Sequence, residues 1–344
     1  MNVALLAIPQ GMAYALVAGL PISYGLLGSA IAAIMGGIFG GGRFITLGPT
    51  NATAVLLFGV FAGIGLIQAD GMASSDALLL LPWILIASAL FLIVASVLRI
   101  SFMIQFISRT VITAYVTAAC CLIIANQCKH LLGLQNSSSE VPTTFFEIIL
   151  NACLSLQSFS VPALTLSIIT AILFLLLQRK FPSLPNVAIT LVLSSLVAIG
   201  LEEINWKITK LDNFDLAGSF LTFPETSNFT NHWETILSAA FAVSLLCLLE
   251  GLSIGKSLAA RAGSRLDSNQ EAMSIGFGNL GCAFFSGMPA SGSLTRSTLN
   301  VQSGARTSIA NLVAGGLIIL VSGFLGNLIS YVPLCSLATL VVFI

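Results

Sequence analysis

The sequence predicts an all-α polytopic membrane protein, and three observations carry that prediction. Only 8% of the 344 residues are charged, 13 basic against 13 acidic, where an average soluble domain carries roughly 25%. The apolar set AVILMFWYC makes up 57%, and mean hydropathy is +1.02. These residues come in long unbroken runs, not in the alternating pattern of barrel strands, so the spans are helices. A soluble fold of this length could not cover its surface with so few charges. A disordered chain and a nucleic-acid binder with a basic face are excluded on the same ground.

A span needs about 20 residues of helix. Candidate spans fall at 3–20, 23–41, 51–67, 77–98, 107–127, 161–178, 186–201, 235–255, 269–286, 293–303, 307–329 and 332–344. The segments at 51–67 and 293–303 are short or polar and follow Gly/Pro-rich stretches. Residues 143–156 (TTFFEIILNACLSL) are apolar but short and precede polar QSFS, which reads as an interfacial or re-entrant helix. The start, MNVALLAIPQG, lacks a basic leader and reads as the beginning of a span, not a signal peptide.

Basic residues orient the spans. With the N-terminus cytoplasmic, Arg43, Arg99, Arg109, Arg179, Lys180, Lys256, Arg261, Arg265 and Arg306 lie inside, and only Lys129, Lys207 and Lys210 outside. The loop near 202–234 then carries its acidic residues on the outer face. Arg296 belongs to no loop. The seven cysteines form no C-x-x-C pair and read as small buried hydrophobes; with only two histidines, His130 and His232, no His-based metal or catalytic cluster is expected. No cofactor is expected. There is no P-loop, G-x-S-x-G or zinc signature, so ATP-driven pumping and hydrolysis lack support.

Two segments are interrupted in the same way. In GGGRFITLGPTNAT (40–53), glycines give a turn and FITL is a short extended run. Gly48-Pro49 blocks helix continuation, and Thr50 or Asn51 is a good N-cap. In FFSGMPASGSLTRS (284–297), aromatic residues, a Gly/Pro break and a small-residue run again precede a Ser/Thr-led helix start. The interruptions fall in the third and tenth segments, the spacing expected of two interleaved seven-segment repeats of opposite topology. Such paired short half-helices, each after a short extended segment, point to a transporter site.

A helix N-terminus presents free N–H groups and roughly half a positive charge. Two such ends meeting inside the membrane make an anion site. Thr50, Asn51, Ser293 and Thr295 can add side-chain donors, and Arg296 adds a full charge. That arginine either attracts an anion or forms a structural ion pair with Glu250. Glu250, deep in FAVSLLCLLEGLSIGKS, could carry a proton, help bind sodium, pair with Arg296, or merely pack near a kink at Gly251. Gln10 and Tyr14 share a face of the first span and either line the same cavity or form a core polar pair. Asp267, Asn269 and Glu271 read as helix caps, and the Gly36–Gly42 spacings as helix packing. Asn136-Ser137-Ser138 and Asn228-Phe229-Thr230 match glycosylation acceptors.

The stretches IPQGMAYALVAGLPISYGLLGS, GGGRFITLGPTNATAVLL, FISRTVITAYVTAA and LLEGLSIGKSLAARAGSRLDSNQEAMSIGFGNLGCAFFSGMPASGSLTRSTLN resemble the sulfate permease (SulP) family of anion transporters, the solute-carrier group that includes prestin. The resemblance covers essentially the whole chain. It implies two inverted seven-segment repeats, with a core domain moving against a gate domain. Residues 1–202 would form the first repeat (spans 1–7), 203–234 an extracellular loop, and 235–344 an incomplete second repeat (spans 8–12). The last two spans and the family's C-terminal STAS domain would be missing from this chain.

By motif match, Gln10 and Tyr14 resemble first-helix lining residues. Pro49 and Thr50 fall at the third-helix start, and Ser293, Leu294, Thr295 and Arg296 at the tenth. Glu250 resembles the acidic residue linked to H+ or Na+ coupling. The implied activity is secondary active transport of a small inorganic anion across the plasma (cell inner) membrane, sulfate first, with bicarbonate, chloride or dicarboxylate behind it. An anion channel, a nucleobase carrier of the same fold and a non-transporting remnant are the alternatives; Arg296 beside Ser293 argues against a nucleobase. The implied partners are the anion, the lipid bilayer and a second copy in a homodimer, with no nucleic acid.

Overall fold

The computed structural model describes all residues except 43, 69–70, 101–108, 135–144, 182–183, 204–205, 212–219, 222–223, 225, 264 and 344. The elements run α1 (Asn2–Val17), α2 (Ile22–Phe39), β1 (Leu47–Gly48), α3 (Asn51–Gly63), α4 (Ser75–Val97), α5 (Arg109–Leu132), α6 (Phe145–Leu154), α7 (Val161–Lys180), α8 (Asn186–Glu202), α9 (Thr226–Arg261), α10 (Ser268–Phe284), β2 (Ser291–Gly292), α11 (Leu294–Gln302), α12 (Ile309–Ile329) and α13 (Leu334–Phe343). Every expected span contains a helix, and α6 occupies the segment read as interfacial or re-entrant. The largest departure is α9, which begins nine residues before the expected 235. Its backbone leaves helical values at His232 (φ −130°, ψ 23°), so a short helix abuts the spanning one. The acceptor pattern at 136–138 lies outside the described residues; the one at 228–230 falls in this short helix.

Among the described residues, α2, α4, α7 and residues 232–261 of α9 are long and apolar enough to cross a membrane singly. α1, α3, α6, α8, α10, α11 and α13 are shorter than 18 residues. α3 and α11, with 13 and 9 residues, are the half-helices expected from the two interruptions. Large apolar side chains face outward along the bundle, among them Leu90, Val94, Ile172, Leu196 and Phe324, as a lipid-facing surface requires. That surface also corrects the reading of the cysteines. Cys247, Cys282 and Cys335 are buried, but Cys120, Cys121 and Cys153 are exposed. An apolar run in a membrane helix has an outer face as well as an inner one, and composition does not separate them.

The helices pack as two groups. α10 lies against α4 and α2, α12 against α2, α9 against α4, and α1 against α2 and α12. Separately, α13 packs on α5 and α7, and α7 on α8. The groups meet mainly where α1 touches α8 and α13 and where α3 touches α5. Each group draws helices from both halves of the sequence.

The tightest crossing is α1 on α2. A Cβ on Gly11 would sit 2.7 Å from both the Gly25 carbonyl and Ser29 Oγ, and one on Gly25 would run into the Gly11 carbonyl. Both atoms belong to helices that cannot yield locally. Gly25→Ala is therefore expected to cost about 1–3 kcal/mol by overpacking. The check is a thermal midpoint in detergent, which should fall by several degrees; an unchanged midpoint would mean that the helices separate freely.

Candidate functional site

The two chain breaks meet. β1 and β2 pair antiparallel, Leu47 opposite Gly292 and Gly48 opposite Ser291. The pairing is extended by Ser293 N donating to the Thr46 carbonyl (3.1 Å) and Thr46 N to Ser297 Oγ (2.9 Å). Each strand runs directly into a helix. Thr50 caps α3: its Oγ1 accepts from Thr53 N (3.3 Å), while Thr50 N donates to Thr53 Oγ1 (3.1 Å), a closed capping box. Ser293 caps α11 through Arg296 N (3.5 Å). Both half-helix starts carry the positive end of a helix dipole, which attracts an anion.

Buried asparagines hold the breaks in place. Asn279 donates to the carbonyls of Ile275 and Ala290 (both 2.9 Å) and accepts from Ala290 N (3.0 Å), anchoring the turn ahead of β2. Asn311 donates to the Ile45 carbonyl (2.6 Å) and accepts from Thr46 Oγ1 (2.8 Å) and Asn300 Nδ2 (3.1 Å), anchoring the approach to β1. Irregular backbone inside a membrane is tolerated only when its polar groups are satisfied in this way. Glu271, expected as a helix cap, instead reaches across to the glycine turn. Asp267 takes the capping role at Asn269 N and Gln270 N, while Glu271 is buried and accepts from Gly42 N (3.2 Å).

The expected site residues divide into two shells. Arg296 is 0% exposed. Its guanidinium donates to the Pro49 carbonyl and, at 3.5 Å, to Ser29 Oγ, and its Nε has no partner among the described residues. It thus ties the first turn of α11 to the residue that precedes the α3 cap. Gly48 makes room for it, since a Cβ there would lie 2.9 Å from the guanidinium carbon. Arg296 and Glu250 form no ion pair. Glu250 Oε2 instead accepts from Thr50 Oγ1 (2.8 Å), so this carboxylate reads the α3 cap directly. Tyr14 is buried, and Asn51 Oδ1 is buried without a partner among the described residues. Gln10 donates to Thr295 Oγ1 (3.3 Å), joining α1 to α11, and Ser293 Oγ lies 3.3 Å from the same hydroxyl.

A cavity of about 510 Å³ separates the two helical groups at this point. α1 and α11 form one wall, with Gln10, Leu294 and Thr295 at its inner end; α7, α8 and α13 form the other, with Phe174, Gln178, Asn186 and Phe343. Among the described residues, no charged side chain lines it. Gln10, Leu294 and Thr295 are the expected site residues that touch the cavity. Tyr14, Pro49, Thr50, Asn51, Ser293, Arg296 and Glu250 are not among its lining residues. The opposite wall escaped the sequence reading because Gln178 and Asn186 sit near helix ends, where amides are ordinary. Ser29, Asn279 and Asn311 escaped it too, although single polar residues inside apolar spans were the available signal.

A match to the sulfate permease family runs over residues 1–344. The chain belongs to that family. This sulfate permease family member is therefore an integral membrane protein of a transporter family, not an enzyme. It is 28% identical to sulfate transporter 4.1, chloroplastic, of Arabidopsis thaliana over 99% of this chain and 49% of the relative. It is 27% identical to the putative sulfate transporter YvdB of Bacillus subtilis over 98% of this chain and 61% of the relative. The family member thus spans about half the length of the curated relatives it matches. Its fold resembles the transmembrane domain of a cyanobacterium bicarbonate transporter, BicA (TM-score 0.87, 22% identity, 99% of this chain and 85% of that one). It also resembles the murine anion transporter Slc26a9 in the inward-facing state (TM-score 0.86, 19% identity, 99% of this chain and 58% of that one).

Proposed function

We propose that this chain carries out secondary active transport of a small inorganic anion, sulfate first, by alternating access. The supporting observation is the cavity between the two helical groups, which ends at Gln10, Leu294, Thr295 and the α11 N-terminus. Backbone N–H groups and the Thr295 hydroxyl would take the anion's oxygens. Arg296, held against Pro49, would supply fixed positive potential from behind and not a direct contact. Because the cavity wall itself carries no charge, the anion would be held by oriented dipoles that also let it leave.

The group α1–α4 with α9–α12 would act as the core and α5–α8 with α13 as the gate, each built from both inverted repeats. Sulfate ranks above bicarbonate, chloride and dicarboxylate because the plant and bacterial relatives are named as sulfate transporters, whereas BicA is named for bicarbonate. With the N-terminus cytoplasmic in the plasma membrane, the cavity would open inward. Glu250, hydrogen-bonded to the α3 cap, is the coupling group for H+ or Na+.

The test is radiolabelled sulfate uptake into proteoliposomes, with competing anions and an imposed pH or sodium gradient. Saturable uptake above that of empty vesicles, reduced by excess unlabelled sulfate, is expected. Uptake equal to empty vesicles would overturn the proposal for this chain. Stronger competition by bicarbonate or chloride than by sulfate would reassign the substrate.

A further inference from the structure

β1 and β2 have two residues each, Leu47–Gly48 and Ser291–Gly292. So short a pairing does not set its own register, because its few backbone hydrogen bonds can exchange partners in a slip. A slip of one residue would move the Pro49 carbonyl about 3.3 Å along the strand direction, out of reach of Arg296. The register must therefore come from side chains that hold the chain beside the strands.

α10 supplies one such anchor to each approach. Asn279 holds the turn ahead of β2, accepting from Ala290 N (3.0 Å) and donating to the Ala290 carbonyl (2.9 Å). Glu271, in the first turn of the same helix and 1% exposed, accepts from Gly42 N (3.2 Å) in the turn ahead of β1. That turn packs directly on the start of α10. A Cβ on Gly41 would lie 3.1 Å from Gln270 Cβ and 3.4 Å from the Asp267 carbonyl.

The two anchors stand about two turns apart on one helix, roughly 12 Å along its axis. A hydrogen-bonded helix does not stretch, and α10 is itself packed against α2 and α4. It therefore carries a fixed spacing from one chain break to the other. A carboxylate suits the first anchor, since a charged acceptor holds a backbone N–H more strongly than a neutral one. The first turn of a helix is also where a buried negative charge is best tolerated.

We propose that Glu271 is a positioning residue for the anion site. Through Gly42 it sets where β1 lies along α10, and so where the Pro49 carbonyl, the α3 cap and Arg296 meet. The consequence for anion binding rests on the transport reading; the consequence for strand register does not.

The test separates reach from charge. Glu271→Gln keeps the length of the side chain and an accepting oxygen but loses the charge. Glu271→Asp keeps the charge but is one methylene shorter and falls short of Gly42 N. Hydrogen–deuterium exchange of the purified full chain in detergent is read by mass spectrometry over residues 40–50 and 286–293, with equilibrium sulfate binding measured on the same samples. Glu271→Asp should speed exchange over 40–50 about tenfold or more and weaken sulfate binding by a similar factor, from the loss of one charge-assisted hydrogen bond. Glu271→Gln should stay within about threefold of wild type in both. Glu271→Met, of similar length but without a strong acceptor, should behave as Glu271→Asp and takes its place if that variant fails to fold.

Wild-type exchange over 40–50 in a folded Glu271→Asp or Glu271→Met chain would overturn the anchor. A Glu271→Gln chain as impaired as these would do the same, because charge and not reach would then be the property in use. Faster exchange with unchanged sulfate affinity would overturn the link to the anion site. A wild-type chain that binds no sulfate would overturn the transport reading and with it this link, while the exchange pattern still decides the anchor.

Discussion

Arg296→Ala should weaken sulfate binding by roughly 30- to 1000-fold, from about 2–4 kcal/mol of lost interaction. The side chain is fully buried, donates to the Pro49 carbonyl and Ser29 Oγ, and fills the space that Gly48 leaves open. Removing it would take away the fixed charge behind both helix starts. It would also leave the Pro49 carbonyl, one residue before the α3 cap, without its partner. Arg296→Lys should recover little, because one ammonium cannot reproduce the planar fork that reaches two acceptors. The measurement is equilibrium sulfate binding in detergent, beside a thermal midpoint to separate affinity from folding. Anion affinity unchanged in a folded Arg296→Ala variant would remove the arginine from the site.

Glu250→Gln should abolish gradient-driven accumulation while leaving equilibrium anion binding within about twofold, far below the tenfold that 1.4 kcal/mol represents. The reason is local. Glutamine keeps the size of the side chain and an oxygen that can accept from Thr50 Oγ1, now 2.8 Å from the carboxylate. It cannot exchange a proton or neutralise a sodium ion. One proton carried with each anion would concentrate it about tenfold per unit of pH gradient, and that accumulation is what the variant should lose. Accumulation that persists in Glu250→Gln would place the coupling group elsewhere.

The spans were legible because a membrane leaves the chain little freedom. Twenty-residue apolar runs must be helices, and the observed helix ends fall within a few residues of the apolar-run boundaries, except at α9. The half-helices were legible for a related reason. Gly48-Pro49 and Gly287-Met288-Pro289 cannot continue a helix, and Thr50 and Ser293 are strong caps. The environment of each polar side chain was not legible. Glu250 was open to pairing with Arg296, and it turned instead to Thr50. Glu271 looked like a surface cap, and it lies buried against the glycine turn. Both choices depend on backbone groups brought close from far along the chain.

Composition and local stereochemistry determined that this chain is helical, that it spans a membrane, and that it breaks twice in matching places. Those properties follow from solvent and backbone constraints acting within about twenty residues. The tertiary structure alone decided that β1 pairs with β2, that Arg296 bridges the two helix starts from behind, and that Gln178 and Asn186 face Gln10 across a cavity. These contacts join segments hundreds of residues apart, and a linear pattern carries no distance between them.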